Sequence, residues 1–282
     1  TARTAIVIIN RGGVTVYNCR FLNFSWGPAH FFGAAYEGYQ QPSTWVTGNS
    51  FYNNIVTDCS SYSATNQGLW FQGQDGFEMH DCSITTTRAT GTTGDMVAGN
   101  TNRNAKIYNN FVSRPGYILG KWAFAYEIRW NFGGMQFYNN VTEGCLDLCW
   151  NYSEGQAYSW WVRTSTFGYN SIPASMDIGI DIEAMTDKII IEDCRFKYLC
   201  QGIMTSASYG GMQLTFNDFN IRRNTLEHIG VQATFSGIGI NGISVSPEFT
   251  GTYTNIVTNI NIVNNTISGT TLSRYGIRVG NS

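Results

Sequence analysis

Short segments of one apolar and polar pattern recur along the chain: VYNCRF, TGNSF, HDCSI, YNNFV, YNNV, GYNSI, EDCRF, RRNTL and VNNTI. Aligned on the polar residue two places before the last apolar one, they give the column Cys19, Asn49, Cys82, Asn110, Asn140, Asn170, Cys194, Asn224 and Asn265. Successive members are 30, 33, 28, 30, 30, 24, 30 and 41 residues apart. Three residues earlier stand Val16, Val46, Met79, Ile107, Phe137, Phe167, Ile191, Ile221 and Ile262. Two residues later stand Phe21, Phe51, Ile84, Val112, Thr142, Ile172, Phe196, Leu226 and Ile267. Only Thr142 breaks the apolar character of these flanking columns.

A repeat of about 30 residues holds three short strands and three turns, and one such turn of chain cannot bury its own apolar face. Stacking the repeats pairs each strand with its counterpart about 4.8 Å above and below. The expected fold is therefore all-β: a right-handed parallel β-helix of about nine coils. Its aligned polar column would form a buried Asn/Cys ladder, because an Asn amide both donates and accepts from coil to coil and Cys tolerates burial. A second alternating series follows in each repeat: GLWFQ (68–72), DMVAG (95–99), YILGKW (117–122), LDLCW (146–150), IGIDIEA (178–184), QGIMT (201–205), GIGINGI (237–243) and YGIRV (275–279). Such alternation marks a half-buried sheet. Stretches between, such as 120–134 and 150–161, read as long loops on one face of the stack. Residues 1–282 read as a single domain. The start directly on the apolar Ile6–Ile9 suggests a fragment of a longer secreted protein.

Composition narrows the function classes. Net charge is −2, charged residues make up 13% and aromatics 15% of the 282 residues. No Lys/Arg block exists, which argues against nucleic acid as a partner. No run of about 18 apolar residues is present, so no membrane span is expected. The seven cysteines show neither CxxC nor zinc spacing, so no metal site is expected from them.

The recurring turn with Asn or Cys between two apolar positions resembles that of the pectate-lyase-like right-handed β-helix superfamily, over roughly residues 6–280. The resemblance implies an extracellular or cell-surface protein that engages polysaccharide, in the enzymes along the sheet preceding the long loops. A second resemblance is to the tapirins, surface proteins that bind cellulose through a β-helical domain. It rests on aromatic-rich loops over an Asn-rich β-helix. The chain lacks the dense Asp cluster of calcium-dependent pectate lyases and the paired-Asp motifs of polygalacturonases.

Two sets of candidate site residues emerge. Five of the eight tryptophans fall within 122–161: Trp122, Trp130, Trp150, Trp160 and Trp161, joined by Tyr152 and Tyr158. Aromatic rings on loops suit the apolar faces of sugars, so the leading expectation is a non-catalytic, adhesin-like binder of a neutral glucan such as cellulose, without a cofactor. The alternative is a polysaccharide lyase or glycoside hydrolase using Asp147, Asp181 and Glu183, with Lys121 or Lys188 as the amine base of a lyase. Ca²⁺ enters only under that lyase reading. Asp147 and Asp181 are expected on neighbouring coils, about 5 Å apart. A third reading is a phage tailspike or trimeric surface adhesin. Tyr108 and Tyr138 are expected to stack as cross-coil neighbours.

Overall fold

The computed structural model describes residues 3–34, 41–59, 68–87, 94–114, 124–172, 177–206, 215–231, 241–245, 256–269 and 275–280. Among these there is no helix; strands in parallel register build the structure. The architecture is all-β with long parallel sheets, consistent with a parallel β-helix.

Three strand stacks make up the body. The first runs from Thr4–Ile9 to Tyr275–Val279, and the second from Thr15–Tyr17 to Ile256–Val263. The third, nine strands deep, runs from Arg20–Leu22 to Thr266–Gly269. The first two merge into one nineteen-stranded sheet, because the long strand Ile178–Asp187 continues around the corner and its end pairs with Phe216 and Asn217.

The inward columns of all three stacks are mainly apolar, with buried Thr142 and Thr205 as exceptions. Val16, Phe51, Met79, Ile107, Phe137, Val162, Ile191, Ile221 and Ile262 line the second stack in continuous register. Phe137, Phe167 and Phe196 stack at 5.9 and 4.9 Å between ring centres. Each fully buried ring of this kind contributes about 1.5–3 kcal/mol of hydrophobic stabilisation.

A sharp corner joins each strand of the second stack to the third. The residue at the bend, from Asn18 and Asn53 through Asp81, Asn109, Asn139, Thr164, Asp193 and Arg223 to Asn264, holds a left-handed φ between 48° and 56°. Asn and Asp visit that region more readily than other L-residues, and seven of these nine are Asn or Asp. The next residue points inward. Asn110 Nδ2 donates to Met79 O at 3.1 Å and Asn140 Nδ2 to Ile107 O at 2.9 Å. Each Asn oxygen accepts the backbone N–H of the rung before it, as Asn110 does from Cys82 at 3.0 Å and Asn224 from Cys194 at 3.0 Å.

Two members of the expected column stand elsewhere. The corner residue that receives the Cys19 N–H, at 2.9 Å, is Asn54 and not Asn49. Asn49 is also buried, but at another corner, where it donates to Gln74 Oε1 at 2.9 Å. Either Asn satisfies the motif, since Phe51 serves as the following apolar residue for one and the preceding one for the other; strand pairing decides for Asn54. Asn170 is exposed and accepts from Lys197 Nζ at 2.6 Å. Its place is taken by Ser165, whose hydroxyl receives the Asn140 N–H at 3.2 Å. A Ser at that position fell outside the Asn/Cys pattern, so the motif jumped five residues. None of the seven cysteines is joined in a disulfide among the described residues.

The expected loops also shrink. Residues 120–134 contain the strand Tyr126–Asn131, and 150–161 is interrupted by strands ending at Asn151 and beginning at Trp160. The segment 117–122 lies outside the described residues.

Candidate functional site

Alternation on the first stack brings carboxylates onto its outer face. Inward, Ile128, Leu148 and Ile182 pair across the strands Tyr126–Asn131, Leu146–Asn151 and Ile178–Asp187. Their neighbours face outward in two columns. One reads Glu127, Asp147, Asp181, Met204; the other Asn100, Arg129, Cys149, Glu183, Ser206. Asp147 and Asp181 are thus direct cross-strand partners, as expected, and Glu183 lies on the same face two residues on.

This outer face is largely shielded from water. Asp147 is 0% exposed, and Asp181 and Glu183 are buried. Beside them Phe124, Cys145, Ile178 and Met204 form a small apolar cluster. Solvent reaches the group at Glu127 and Arg129, whose side chains are 13% and 22% exposed and ion-paired at 2.6 Å. Asp181 Oδ1 accepts from Ser206 Oγ at 2.7 Å. Among the described residues neither oxygen of Asp147 has a hydrogen-bond partner.

Burying a carboxylate without a partner is costly, so such groups keep their protons. Burial, reinforced by Glu183 and Asp181, pushes Asp147 well above the usual carboxylate range. Burial raises Asp181 to about 7 against the opposing Ser206 hydrogen bond. Glu183 rises to about 8, through burial first and then the Asp181 charge. Asp95, which accepts the Phe124 N–H at 2.9 Å, is likewise held well above its ordinary value by burial and by Glu127. Glu127, Arg129, Asp95 and Ser206 were missed in the sequence because 120–134 was read as a loop; the alternation in YEIRWN was the available signal.

Of the amine candidates, Lys121 lies outside the described residues. Lys188 stands at the bend between Ile178–Asp187 and Ile189–Glu192 and not on this face. Among the described residues no group of three or more His, Cys, Asp or Glu side chains is arranged to hold a metal ion.

The aromatic set divides. Trp160 is 0% exposed and sits in a strand, its Nε1 donating to Asn151 Oδ1 at 2.7 Å. It faces inward because Trp160 shares its side of the strand with Val162, and Asn151 supplies the acceptor a buried indole needs. Trp150 is buried as well and stacks on half-buried Trp130 at 5.2 Å. Tyr152 packs on Phe132 at 6.0 Å. Trp130, Trp150 and Trp160 stand in strands, and Tyr152, one residue past a strand end, packs against the same core. Trp122 lies outside the described residues. Trp161 and Tyr158 remain half-exposed, 5.6 Å apart. The Arg163 guanidinium lies 3.9 Å from the Trp161 ring centre, and Trp161 Nε1 donates to Glu192 Oε1 at 2.7 Å.

The second stack carries an aromatic strip on its outer face. Tyr108 and Tyr138 stack at 4.9 Å, and the series extends through His80 and Tyr52 to Tyr17. Arg163 closes it 4.3 Å from Tyr138. Face-to-face stacking spends the ring faces on one another and leaves edges outward, which a sugar face cannot use.

Compared with known proteins, the chain matches no family model, no curated protein and no solved structure. Among the described residues no helix is long and apolar enough to cross a membrane.

Proposed function

We propose that the chain is a right-handed parallel β-helix of about nine coils, pectate-lyase-like in architecture, that works outside the cell as a glycoside hydrolase on polysaccharide. The observation that carries this reading is the pair Asp147 and Asp181, facing the same way from adjacent strands in unequal surroundings. Environments that separate the proton affinities of two neighbouring carboxyls are what acid and base assignments require. Asp147, without a partner, holds its proton and donates it to the glycosidic oxygen. Asp181, supported by the Ser206 hydroxyl, gives up its proton at about 7 and is the carboxylate above that pH.

Adjacent strands put the two carboxyls about 5 Å apart, the spacing of a retaining mechanism. Asp181 attacks the anomeric carbon and forms a glycosyl ester while the C–O bond to the leaving sugar breaks and takes the Asp147 proton. Water then cleaves the ester, with Asp147 now removing the proton from that water. The guanidinium beside the pair, Arg129, is already committed to Glu127, which favours a neutral sugar over an anionic uronate.

A second reading, retention of a glucan such as cellulose without cleavage, is favoured by one observation. Trp161 and Tyr158 stay half-exposed on a rigid strand and its approach. One experiment separates the two. A panel of polysaccharides is incubated with the protein, and reducing ends and pull-down are scored in the same samples. Release that disappears in Asp181→Asn, with the parent's melting temperature kept, supports hydrolysis. Pull-down with no release from any substrate overturns it and supports retention.

A further inference from the structure

On the outer face of the second stack, Arg163 forms no ion pair among the described residues, although Glu192 stands directly across from it on the next strand. Glu192 is already committed. Its Oε1 accepts the Trp161 indole N–H at 2.7 Å, and its Oε2 accepts Arg222 Nε at 2.7 Å and Arg223 Nη2 at 2.8 Å. Arg163 is held instead by rings, 4.3 Å from the centre of Tyr138 and 3.9 Å from that of Trp161. A guanidinium stacked on ring faces keeps its in-plane N–H groups for hydrogen bonds. Both Nη atoms donate to Gln136 Oε1 at 3.3 Å, which fills the end of the fork without neutralising its charge. The side edge, Nε–H with the adjacent Nη–H, has no acceptor among the described residues, and neither has Gln136 Nε2. Arg163, Gln136, Trp161 and Tyr158 are all half-exposed, so this face, unlike the buried acidic one, is reached by solvent.

What is left over at this point is a fixed positive charge and a set of donors without acceptors. The complement is an oxyanion. The side edge of the guanidinium grips two oxygens, and the Gln136 amide offers a donor for a third. A planar carboxylate has only two oxygens and leaves the amide unmet. A sulfate ester has three, in a tetrahedral arrangement. Beside the charge, Tyr158 meets the Trp161 ring at 59° and so does not spend its face on that ring. A sugar can lie against it. We propose that this face binds a sulfated polysaccharide, with Arg163 and Gln136 holding a sulfate ester and Tyr158 the ring of a neighbouring sugar. The site stands on the second stack, whereas Asp147 and Asp181 stand on the first, so the inference does not rest on the hydrolase reading. An acidic peptide offers only planar carboxylates and no pyranose ring, and fits the same donors less well.

The test uses three oligosaccharides of equal length: galactose with one sulfate ester on each sugar, unsubstituted galactose, and galacturonate. The sulfated and galacturonate oligomers carry the same charge, so a difference between them reports the shape of the anion. Inorganic sulfate is the fourth probe. Binding is measured by calorimetry with the intact chain, in low and high salt. The sulfated oligomer should bind about tenfold more tightly than either of the others, as for one charge-assisted contact. Its margin over the unsubstituted oligomer should shrink in high salt. Arg163→Lys keeps the charge and loses the fork, and should lose most of the margin at the parent's melting temperature. Gln136→Leu removes the third donor and should bring the sulfated and galacturonate oligomers together. Tyr158→Ala should weaken the sulfated and unsubstituted oligomers by the same factor. Equal affinity of the parent for all three oligomers overturns the proposal whether or not the variants fold, and so does equal affinity for the sulfated and galacturonate oligomers. Inorganic sulfate binding as tightly as the sulfated oligomer would leave a site for the ion alone and overturn the polysaccharide partner. A full margin retained in both Arg163→Lys and Gln136→Leu would place the sulfate elsewhere and overturn the site.

Discussion

One oxygen of Asn140 accepts two hydrogen bonds from Asn110, from the backbone N–H at 2.9 Å and from Nδ2 at 3.0 Å. Both residues are buried, so the pair ties adjacent turns of chain where water cannot compete. Asn140→Leu leaves the Asn110 N–H and the Ile107 carbonyl without their partner. A loss of about 1–3 kcal/mol is expected, read as a lower denaturant midpoint. Asn170→Leu, at an exposed position, should stay within about 0.5 kcal/mol of the parent. Equal effects of the two substitutions would contradict the assignment of Ser165 to that corner.

The adjacent tryptophans should behave oppositely. Trp160→Ala empties a core site and strands the Asn151 acceptor, at a cost of about 3–5 kcal/mol. Trp161→Ala removes a half-exposed ring and its contacts with Arg163 and Glu192, for about 1 kcal/mol. Chemical denaturation of both variants checks the difference. Weaker pull-down of insoluble glucan by Trp161→Ala, at nearly unchanged stability, would speak for retention through this ring.

Stereochemistry tests the pairing of carboxyls. Direct cross-strand partners predict that the freed sugar keeps its anomeric configuration, which proton NMR reads within the first turnovers. Inversion would instead assign the wider diagonal pair Asp147 and Glu183 and exclude Asp181 as nucleophile.

Stability should fall with rising pH across the neutral range. In the unfolded chain Asp181 and Glu183 lose their protons near 3.8 and 4.5, whereas in the fold they hold them to about 7 and about 8. Between those limits the folded state binds more protons, so each pH increment favours unfolding, and the part of the loss due to these two groups levels off above about 8. The melting temperature should therefore decline from about pH 5 to about pH 8, and Asp181→Asn should flatten the decline. A melting temperature that climbs across this window would show that these carboxyls fold ionised.

The chain's own pattern was enough to place most of the stack. Period-two alternation and a turn recurring about every 30 residues are local properties, and they located Cys82, Asn110, Asn140, Cys194 and Asn224 at one corner. The pairing of Asp147 with Asp181 was legible for the same reason, since strand register follows from the repeat. Local pattern failed where two registers fit equally well, at Asn49 and Asn54, and where the corner residue was an unexpected Ser165. Only the tertiary structure decided which aromatic rings are buried, because a Trp in the sequence looks the same whether its strand turns it inward, as at Trp160, or outward, as at Trp161. Burial of the outer acidic face was also beyond the sequence. The proton affinities of Asp147, Asp181 and Glu183 depend on what packs over and beside them, and that is set by residues distant along the chain.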